Sequence, residues 1–315
     1  MKRYYSLNTY FQQQFRCRVH KISLDAGFSC PNRDGTISNK GCIYCNDKGS
    51  GTGLNAKGLS ITTQLINGKK ALTKRYKAKK FIGYFQSFSN TYAALDKLQS
   101  VYDEALSVDD IVGLSIGTRP DCVNQEILSL LETYAKKYHI WLEYGLQSIH
   151  NETLKFINRG HDFICFKKAI DATKKRGIKI CVHVILGLPF ESRKQMIETA
   201  KSLANLPIDG IKLHLLYVIK DTKLAEIYDQ GKFNCLSQQE YVDIVCDFLE
   251  HTPNNIIMHR LTGDPHPEEL ISPLWSLKKT ETLALINKTL ETKKSWQGKS
   301  VDKIDLSHTT DLEIK

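Results

Sequence analysis

Three cysteines near the start of the chain constrain it more than any other feature. Cys30, Cys42 and Cys45 lie in the segment SLDAGFSCPNRDGTISNKGCIYCN, with eleven residues between the first two and two between the last two. Cys42 and Cys45 can bind one metal centre from a single tight loop, and Cys30 closes the site across a polar excursion. Three thiolates on a cluster of four irons leave one iron without a protein ligand, and an open coordination position is typical of catalytic sites.

The composition argues against a secreted or membrane protein. Nine cysteines in 315 residues are an odd number and do not indicate a disulfide framework. There is no apolar run long enough to span a membrane, and the N-terminus lacks the apolar stretch of a signal peptide. We therefore expect a cytoplasmic protein with one large core. The other cysteines are interpreted as small buried apolar residues: Cys17, Cys122, Cys165, Cys181, Cys235 and Cys246.

The net charge of +10 favours a polyanionic partner such as nucleic acid. Residues 69–80 contain seven Lys or Arg, which a solvated helix face would also explain. The N-terminus is basic and aromatic, and its rings either stack on bases or pack an N-terminal strand against the core. Those rings are Tyr4, Tyr5, Tyr10, Phe11 and Phe15.

Short β-branched runs alternate with longer amphipathic runs, which predicts a parallel sheet built from strand–helix units. Strands are predicted at 19–25, 80–85, 110–118, 140–148, 178–189, 210–219 and 255–263. Helices are predicted at 59–78, 91–106, 124–138, 151–158, 163–177, 191–206, 237–252 and 276–296.

This pattern suits an α/β protein with a partial or complete parallel β/α (TIM-like) barrel and a short C-terminal helical extension. Reactive groups of such barrels lie at the C-terminal ends of the strands, which is where the cysteine loop at 25–48 is expected. We assign residues 1–290 to one core domain and residues 291–315 to a polar C-terminal tail.

Further segments strengthen the interpretation of the cysteines. They are CPNRDG…GCIYC, QSFSNTYA, GTRPDC, EYGLQS, NRGHD, HVILGLP and HRLTGDP. Together they resemble the radical S-adenosylmethionine (SAM) enzymes, in the branch of the elongator catalytic subunit and oxygen-independent coproporphyrinogen oxidase. The resemblance covers about residues 1–290 and is strongest to small bacterial proteins linked to tRNA wobble-uridine modification. The first cysteine spacing departs from the three residues commonest in the family.

The resemblance implies a radical SAM core in which Cys30, Cys42 and Cys45 hold a 4Fe–4S cluster. It also implies that SAM binds the open iron and is cleaved to methionine and a 5′-deoxyadenosyl radical. An electron donor such as flavodoxin or ferredoxin would supply the electron. We expect a monomer, because no exposed apolar stripe indicates an obligate dimer.

The resemblance also assigns SAM-binding roles. Gln86 and Ser87 match the stretch that holds the methionine amino group, although Gln86 replaces the usual acid or glycine. Gln147 matches a ribose contact, and Arg159 matches the partner of the SAM carboxylate, where the planar guanidinium suits two-point binding. His183 stands where some relatives carry an Asp near the ribose.

Other residues are assigned less specific roles around the same site. Thr118 ends a strand and could reach the ribose or substrate, with Arg119 adding positive charge. Leu188 and Pro189 are expected to shape the adenine pocket. The catalytic residues are unknown. Candidates that could face the substrate are His214, His259, Arg260 and Asp264.

Glu143 lies on the same strand face as Gln147, four residues away. A buried carboxylate needs a partner, and a cation is the expected one.

The expected reaction converts 5-carboxymethylaminomethyl-uridine in tRNA to 5-aminomethyl-uridine, and it rests on the family resemblance. One alternative is a radical SAM enzyme that acts on a small metabolite or a porphyrin. A second is a non-enzymatic, zinc-stabilised RNA-binding protein, whose fourth ligand would be His20 or His161.

Overall fold

A curled parallel sheet forms the centre of the molecule, for which a computed structural model describes residues 2–47, 49 and 53–301. The strands are β1 Val19–Leu24, β2 Lys80–Phe85, β3 Ile111–Thr118, β4 His139–Gln147, β5 Lys179–Leu186, β6 Gly210–Leu215, β7 Val218–Ile219, β8 Ile257–Arg260 and β9 Leu270–Ser272. Seven of them pair in parallel in the order β1-β2-β3-β4-β5-β6-β8, while β7 and β9 form a separate antiparallel pair.

Helices connect the strands. They are α1 Leu7–Phe15, α2 Ile61–Tyr76, α3 Leu95–Leu106, α4 Gln125–Ala135, α5 Asn151–Phe156, α6 Phe163–Lys174, α7 Arg193–Ala204, α8 Lys223–Asp229, α9 Gln238–Glu250 and α10 Lys279–Thr292. Polar caps fix many of their starts. Ser237 and Glu240, for example, form a capping box at the start of α9. None of the helices in the described ranges is long and apolar enough to cross a membrane.

The prediction of a partial parallel β/α barrel is confirmed. Strands β1 and β8 do not pair with each other within the described ranges, so the sheet is a half-barrel rather than a closed one. Its curvature still brings these edges together inside, where Lys21 Nζ lies 3.3 Å from Nδ1 of His259. Every predicted strand has an observed counterpart, but the run at 210–219 is divided. β6 ends at Leu215, and Val218–Ile219 turn away to pair with β9.

Residues 7–15 form helix α1, for which no element was predicted, and the first predicted strand, at 19–25, is observed as β1. Ser6 caps this helix by accepting a hydrogen bond from the backbone nitrogen of Thr9. The helix covers the N-terminal end of the sheet, with the rings of Tyr10 and Phe15 lying 5.6 and 5.5 Å from His139. Phe11 is 2% exposed. Tyr10 and Phe11 therefore pack against the core, as the second interpretation of these rings proposed.

The basic segment lies away from the cysteines. Lys69 on α2 pairs with Asp110, which directly precedes β3, at 3.0 Å, and Lys80 begins β2. Since all strands of the large sheet run parallel, the N-terminal ends of β2 and β3 lie at the edge opposite to the cysteine loop. This charge therefore does not line the cysteine site.

A second, smaller hydrophobic core lies under the C-terminal ends of the strands. Ile43 from the cysteine loop packs there with apolar residues from α5, the ends of β5 and β6, and α8. The backbone nitrogen of Leu224, in α8, donates to the backbone oxygen of Ile43 at 2.8 Å. The cysteine loop thus rests on an apolar base of its own.

The stretch after residue 290 packs on the core as far as it is described. Ser295 and Gln297 are buried, and the Gln297 amide donates to the backbone oxygens of Pro253 and Ile256. Residues 302–315 of the expected tail lie outside the described ranges. The boundary at 290 stays a prediction.

The stability of this fold should depend on the protonation of His139. Burial, together with the charges of Lys179 and Lys21, lowers its pKa to about 4 from an ordinary 6.5. Between these values the unfolded chain binds the additional proton, so the free energy of unfolding falls as the pH falls. The loss begins near pH 6.5 and reaches about 2 kcal/mol at about pH 5.

Urea unfolding at neutral pH and at about pH 5 measures this effect. A His139→Gln variant keeps an acceptor for the Trp141 indole N–H, which donates to His139 Nε2 at 2.8 Å. In the variant, the difference in the free energy of unfolding between neutral pH and about pH 5 should be smaller by about 2 kcal/mol. The same pH dependence in both proteins would contradict the assignment.

Candidate functional site

The cysteine loop is fixed to the turn that follows α5. The Asn32 side chain donates to the backbone oxygen of Asn158 at 2.5 Å, and the Asn158 side chain donates to the backbone oxygen of Gly41 at 2.6 Å. The backbone nitrogen of Ile43 donates to the backbone oxygen of Ile157 at 3.1 Å. These bonds hold the loop in place on both sides of the excursion between the cysteines.

The structure brings the three cysteines together at this loop. The Cys45 backbone nitrogen donates to the Cys42 backbone oxygen at 3.0 Å, which forms the tight turn expected from the spacing. A hydrogen bond from the Cys45 thiol and the nearby Arg159 guanidinium hold the pKa of Cys42 well below its usual range. Cys30 is close enough to act electrostatically on Cys45. Two thiols in contact, with a third cysteine nearby and a cation beside them, form a donor set suited to iron.

Arg159 links the cysteines to the end of β4. Its Nε and Nη2 atoms donate to the backbone oxygen of Gly145 at 3.0 and 2.5 Å, and Nη1 lies 3.6 Å from Cys42 Sγ. A guanidinium has five N–H donors, so donors remain for a carboxylate. A Cβ on Gly145 would lie 2.5 Å from Arg159 Nη2 and 2.9 Å from Gln147 Nε2. Glycine at this position therefore leaves the room that both side chains occupy.

Two polar atoms at the strand ends fit a polar ligand. Gln147 Oε1 and Ser87 Oγ are buried and have no hydrogen-bond partner in the described part of the chain. Gln147 also has a φ of 80°, a strained value for a residue other than glycine. Gln86 accepts from Ser23 Oγ at 3.1 Å. Unsatisfied buried groups of this kind suit the amino acid and ribose ends of SAM.

Thr118 and Arg119 are occupied by other contacts. Thr118 Oγ1 lies 2.6 Å from Thr91 Oγ1. The Arg119 guanidinium makes a two-point bond to Asp121 and donates to the backbone oxygen of Arg159 at 2.7 Å. Arg119 thus positions the backbone that carries Arg159.

Leu188 and Pro189, which were expected to shape the adenine pocket, and Asp264 lie in different surroundings. Leu188 and Pro189 are buried after β5, and Leu188 belongs to the smaller core. Asp264 is more than half exposed and pairs with Lys279 at 2.6 Å. The structure therefore does not bring Asp264 together with the buried candidates.

The other substrate candidates form one cluster inside the half-barrel, which we call the charged chamber. Glu143 is fully buried at its centre. It pairs with Lys21, accepts from Ser115, and lies 2.7 Å from His183 Nε2 and 3.4 Å from Lys212 Nζ. The members of the chamber are Lys21, Glu143, His183, Lys212, His214, His259 and Arg260.

The chamber carries excess positive charge at neutral pH. Burial lowers the pKa of His183 to about 4 and of His259 to about 3, and it lowers that of His214 well below the usual range, so all three are neutral. Burial raises the pKa of Glu143, but the ammonium groups of Lys21 and Lys212 outweigh it and keep the carboxylate ionised.

Burial also lowers the pKa of Lys212 to about 8, which leaves it protonated at neutral pH. Two ammonium groups, those of Lys21 and Lys212, therefore lie beside one carboxylate, and Arg260, which donates to His214, adds a third positive charge to the chamber.

Sequence reasoning expected a cation beside Glu143 but did not identify Lys21 or Lys212. Both lie inside short strands whose sequences are typical of half-buried strands. A signal was present in β6, GIKLHL, where Lys212 and His214 alternate with apolar residues and share one face. Asn32, which holds the cysteine loop, was also missed.

A Gly145→Ala substitution should weaken SAM binding by at least about 10-fold, because the new Cβ displaces donors of Arg159 and Gln147. Titration calorimetry of SAM into the iron-loaded protein measures this. Gly231→Ala is the control, since a Cβ there meets nothing within 4 Å, although it shares the strain of a positive φ. Equal SAM affinity in the two variants would contradict a role for Arg159 and Gln147 in SAM binding.

Comparisons with known proteins agree with this geometry. The uncharacterized protein YtqA of Bacillus subtilis is 42% identical over 304 residues, covering 96% of this chain and 94% of that protein. The tRNA uridine(34) acetyltransferase of Methanocaldococcus infernus is 29% identical over 186 residues, covering 58% of this chain and 34% of that protein. The solved structure of archaeal Methanocaldococcus infernus Elp3 with an N-terminal deletion matches with a TM-score of 0.68 and 18% identity, covering 89% of this chain and 64% of that one.

Two family profiles cover most of the chain. The Radical SAM C-terminal domain matches residues 208–292. The Radical SAM superfamily matches residues 34–203, which include two of the three clustered cysteines, Arg159 and the half-barrel from β2 to β5. On this match, the chain belongs to the radical SAM superfamily.

Proposed function

We propose that this radical SAM enzyme acts on the wobble uridine of tRNA and converts 5-carboxymethylaminomethyl-uridine to 5-aminomethyl-uridine. The family uses a 4Fe–4S cluster and SAM. Cys30, Cys42 and Cys45 would hold the cluster, and Arg159 beside them would contact SAM. When both are bound, the cluster supplies the electron that cleaves SAM. The chain's own residues must bind and orient the substrate.

One observation carries the proposal, which is the excess positive charge of the charged chamber below the cysteines. The carboxymethyl arm of the proposed nucleoside carries a carboxylate, so the chamber has the charge that this substrate requires. Support from relatives comes from the archaeal protein named for uridine 34 of tRNA, although this chain spans only 34% of it. The net charge of +10 suits a tRNA partner.

The proposed reaction balances with water and SAM. The bond between the arm nitrogen and its methylene carbon breaks, and the two-carbon fragment leaves as glyoxylate after a two-electron oxidation. SAM takes up the two electrons and the hydrogen and ends as methionine and 5′-deoxyadenosine. The electron from flavodoxin or ferredoxin, the proposed donors, is returned and is not consumed. The enzyme is proposed to act as a monomer.

The charged chamber also favours a second candidate, a small acidic metabolite or a porphyrin, because both carry carboxylates. Salt separates the two. Binding of tRNA through several phosphates weakens steeply as salt rises, whereas binding of one small carboxylate changes little. A zinc-stabilised, non-enzymatic protein does not fit the family. Of its two candidate fourth ligands, His20 stacks on Tyr76 at 4.7 Å on β1, away from the cysteines, whereas His161 lies 3.3 Å from the backbone oxygen of Gly145, which Arg159 also contacts.

Anaerobic turnover tests the proposal. Iron-loaded protein is incubated with reductant, SAM and tRNA that carries 5-carboxymethylaminomethyl-uridine, and the products are read by mass spectrometry. We expect 5-aminomethyl-uridine, glyoxylate and 5′-deoxyadenosine in equal amounts. The Cys42→Ala variant, which lacks one cluster ligand, should give none of them.

Formation of 5′-deoxyadenosine with an unchanged nucleoside would overturn the tRNA proposal and favour the small acidic substrate. Conversion of the nucleoside without formation of glyoxylate would overturn the proposal that the two-carbon fragment leaves as glyoxylate.

A further inference from the structure

We propose that Lys212, His214 and Arg260 form a carboxylate clamp that binds the anionic end of the substrate's carboxymethyl arm and selects it over a neutral arm. This inference rests on the proposed function and adds the residues that determine specificity. Lys212 and Arg260 are partners in the register of β6 and β8, and His214 follows Lys212 on the same face of β6. The clamp is thus built on rigid strands.

Hydrogen bonding singles out two of these residues. Arg260 Nη2 donates to His214 Nδ1, which places the His214 proton on Nε2. That Nε2–H and the Arg260 Nε–H are both buried, and neither finds an acceptor among the described residues. Buried donors without acceptors are costly, so two of them side by side indicate a site for an acceptor from outside the chain.

Charge identifies the ligand as an anion. Within the described ranges, Arg260 has no carboxylate within 4.0 Å. Lys21 pairs closely with the Glu143 carboxylate. Lys212 Nζ lies farther from this carboxylate, at 3.4 Å, and donates to the Tyr84 hydroxyl at 2.6 Å. The charge of Lys21 is therefore compensated, and the charges of Lys212 and Arg260 are left for a bound anion.

The clamp lies on the cysteine side of the chamber. Arg260 is the last residue of β8 and His214 is the last but one of β6, so both lie at the C-terminal ends of parallel strands, the edge at which the cysteine loop follows β1. A carboxylate held by Arg260 therefore lies between the base of the chamber and the cysteine loop. This is the region in which the arm's methylene would have to be presented.

A metal ion is the competing occupant. Glu143, Cys181 and His183 offer three ligand atoms within 4.8 Å of one another. The Glu143 carboxylate is already engaged by Lys21, Ser115, Lys212 and His183, and two of these carry positive charge. A cation would have to displace or approach these ammonium groups, so the surroundings favour an anion.

The test uses two anticodon stem-loop RNAs that differ only in the arm. One carries the carboxymethylaminomethyl group, and the other carries its neutral carboxamide. Binding is measured by fluorescence anisotropy, and kcat and KM are measured in the anaerobic assay. The variants are Arg260→Gln and Lys212→Met. The control is Lys179→Met, which removes a charge at the N-terminal end of neighbouring β5.

Wild type and Lys179→Met should prefer the carboxylate RNA by about 10- to 100-fold in affinity and in kcat/KM. Arg260→Gln and Lys212→Met should lose most of this preference, because the carboxylate RNA loses its cationic partner. An Arg260→Lys variant should recover part of the preference, which a purely structural role for Arg260 would not predict.

Each failure has a distinct signature. A wild type that acts equally on both RNAs overturns the clamp and leaves the proposed function standing. A wild type that acts on neither RNA overturns the proposed function, and the clamp falls with it. A preference that survives in both clamp variants, or that disappears when divalent metal is chelated, also overturns the clamp.

Discussion

Glu143 contacts side chains from five other strands of the large sheet, and the interior of the half-barrel is organised around this carboxylate. Its partners are Lys21 on β1, Ser115 on β3, His183 on β5, Lys212 on β6 and His259 on β8. A carboxylate buried to this depth persists only because cations and donors surround it, and removing any one of them leaves the others poorly paired. The strands are thus held by charge as well as by the apolar layer outside.

A second set of contacts relates this interior to the cysteines. Arg159 reaches from the turn after α5 to the end of β4 and to Cys42, and Arg119 holds its backbone. Asn32 and Asn158 fix the loop from the other side. The cysteine site and the charged chamber are therefore carried by the same strand, β4, which supplies both Glu143 and Gly145.

The sequence predicted the strands well because a parallel sheet is buried on both faces and its strands read as short apolar runs. It predicted the tight turn that joins Cys42 and Cys45, because only two residues separate them. It did not predict the helix at the N-terminus, where the aromatic residues lie on a capped helix against His139 and Trp141. It also missed Lys21 and Lys212, since a lysine in a short strand normally indicates a solvent-facing position, and only curling of the sheet places it inside.

The small core beneath the cysteine loop has a thermodynamic consequence. Ile43 lies between two of the cysteines and packs with Leu224 of α8, which is far along the sequence. Iron held by the cysteines would fix the loop that carries Ile43, and its binding would therefore also favour the packed position of the segments that contact Ile43. Assembly of the cluster and consolidation of α8 are accordingly linked equilibria, so that oxidative loss of iron at the start of the chain loosens a helix near residue 225.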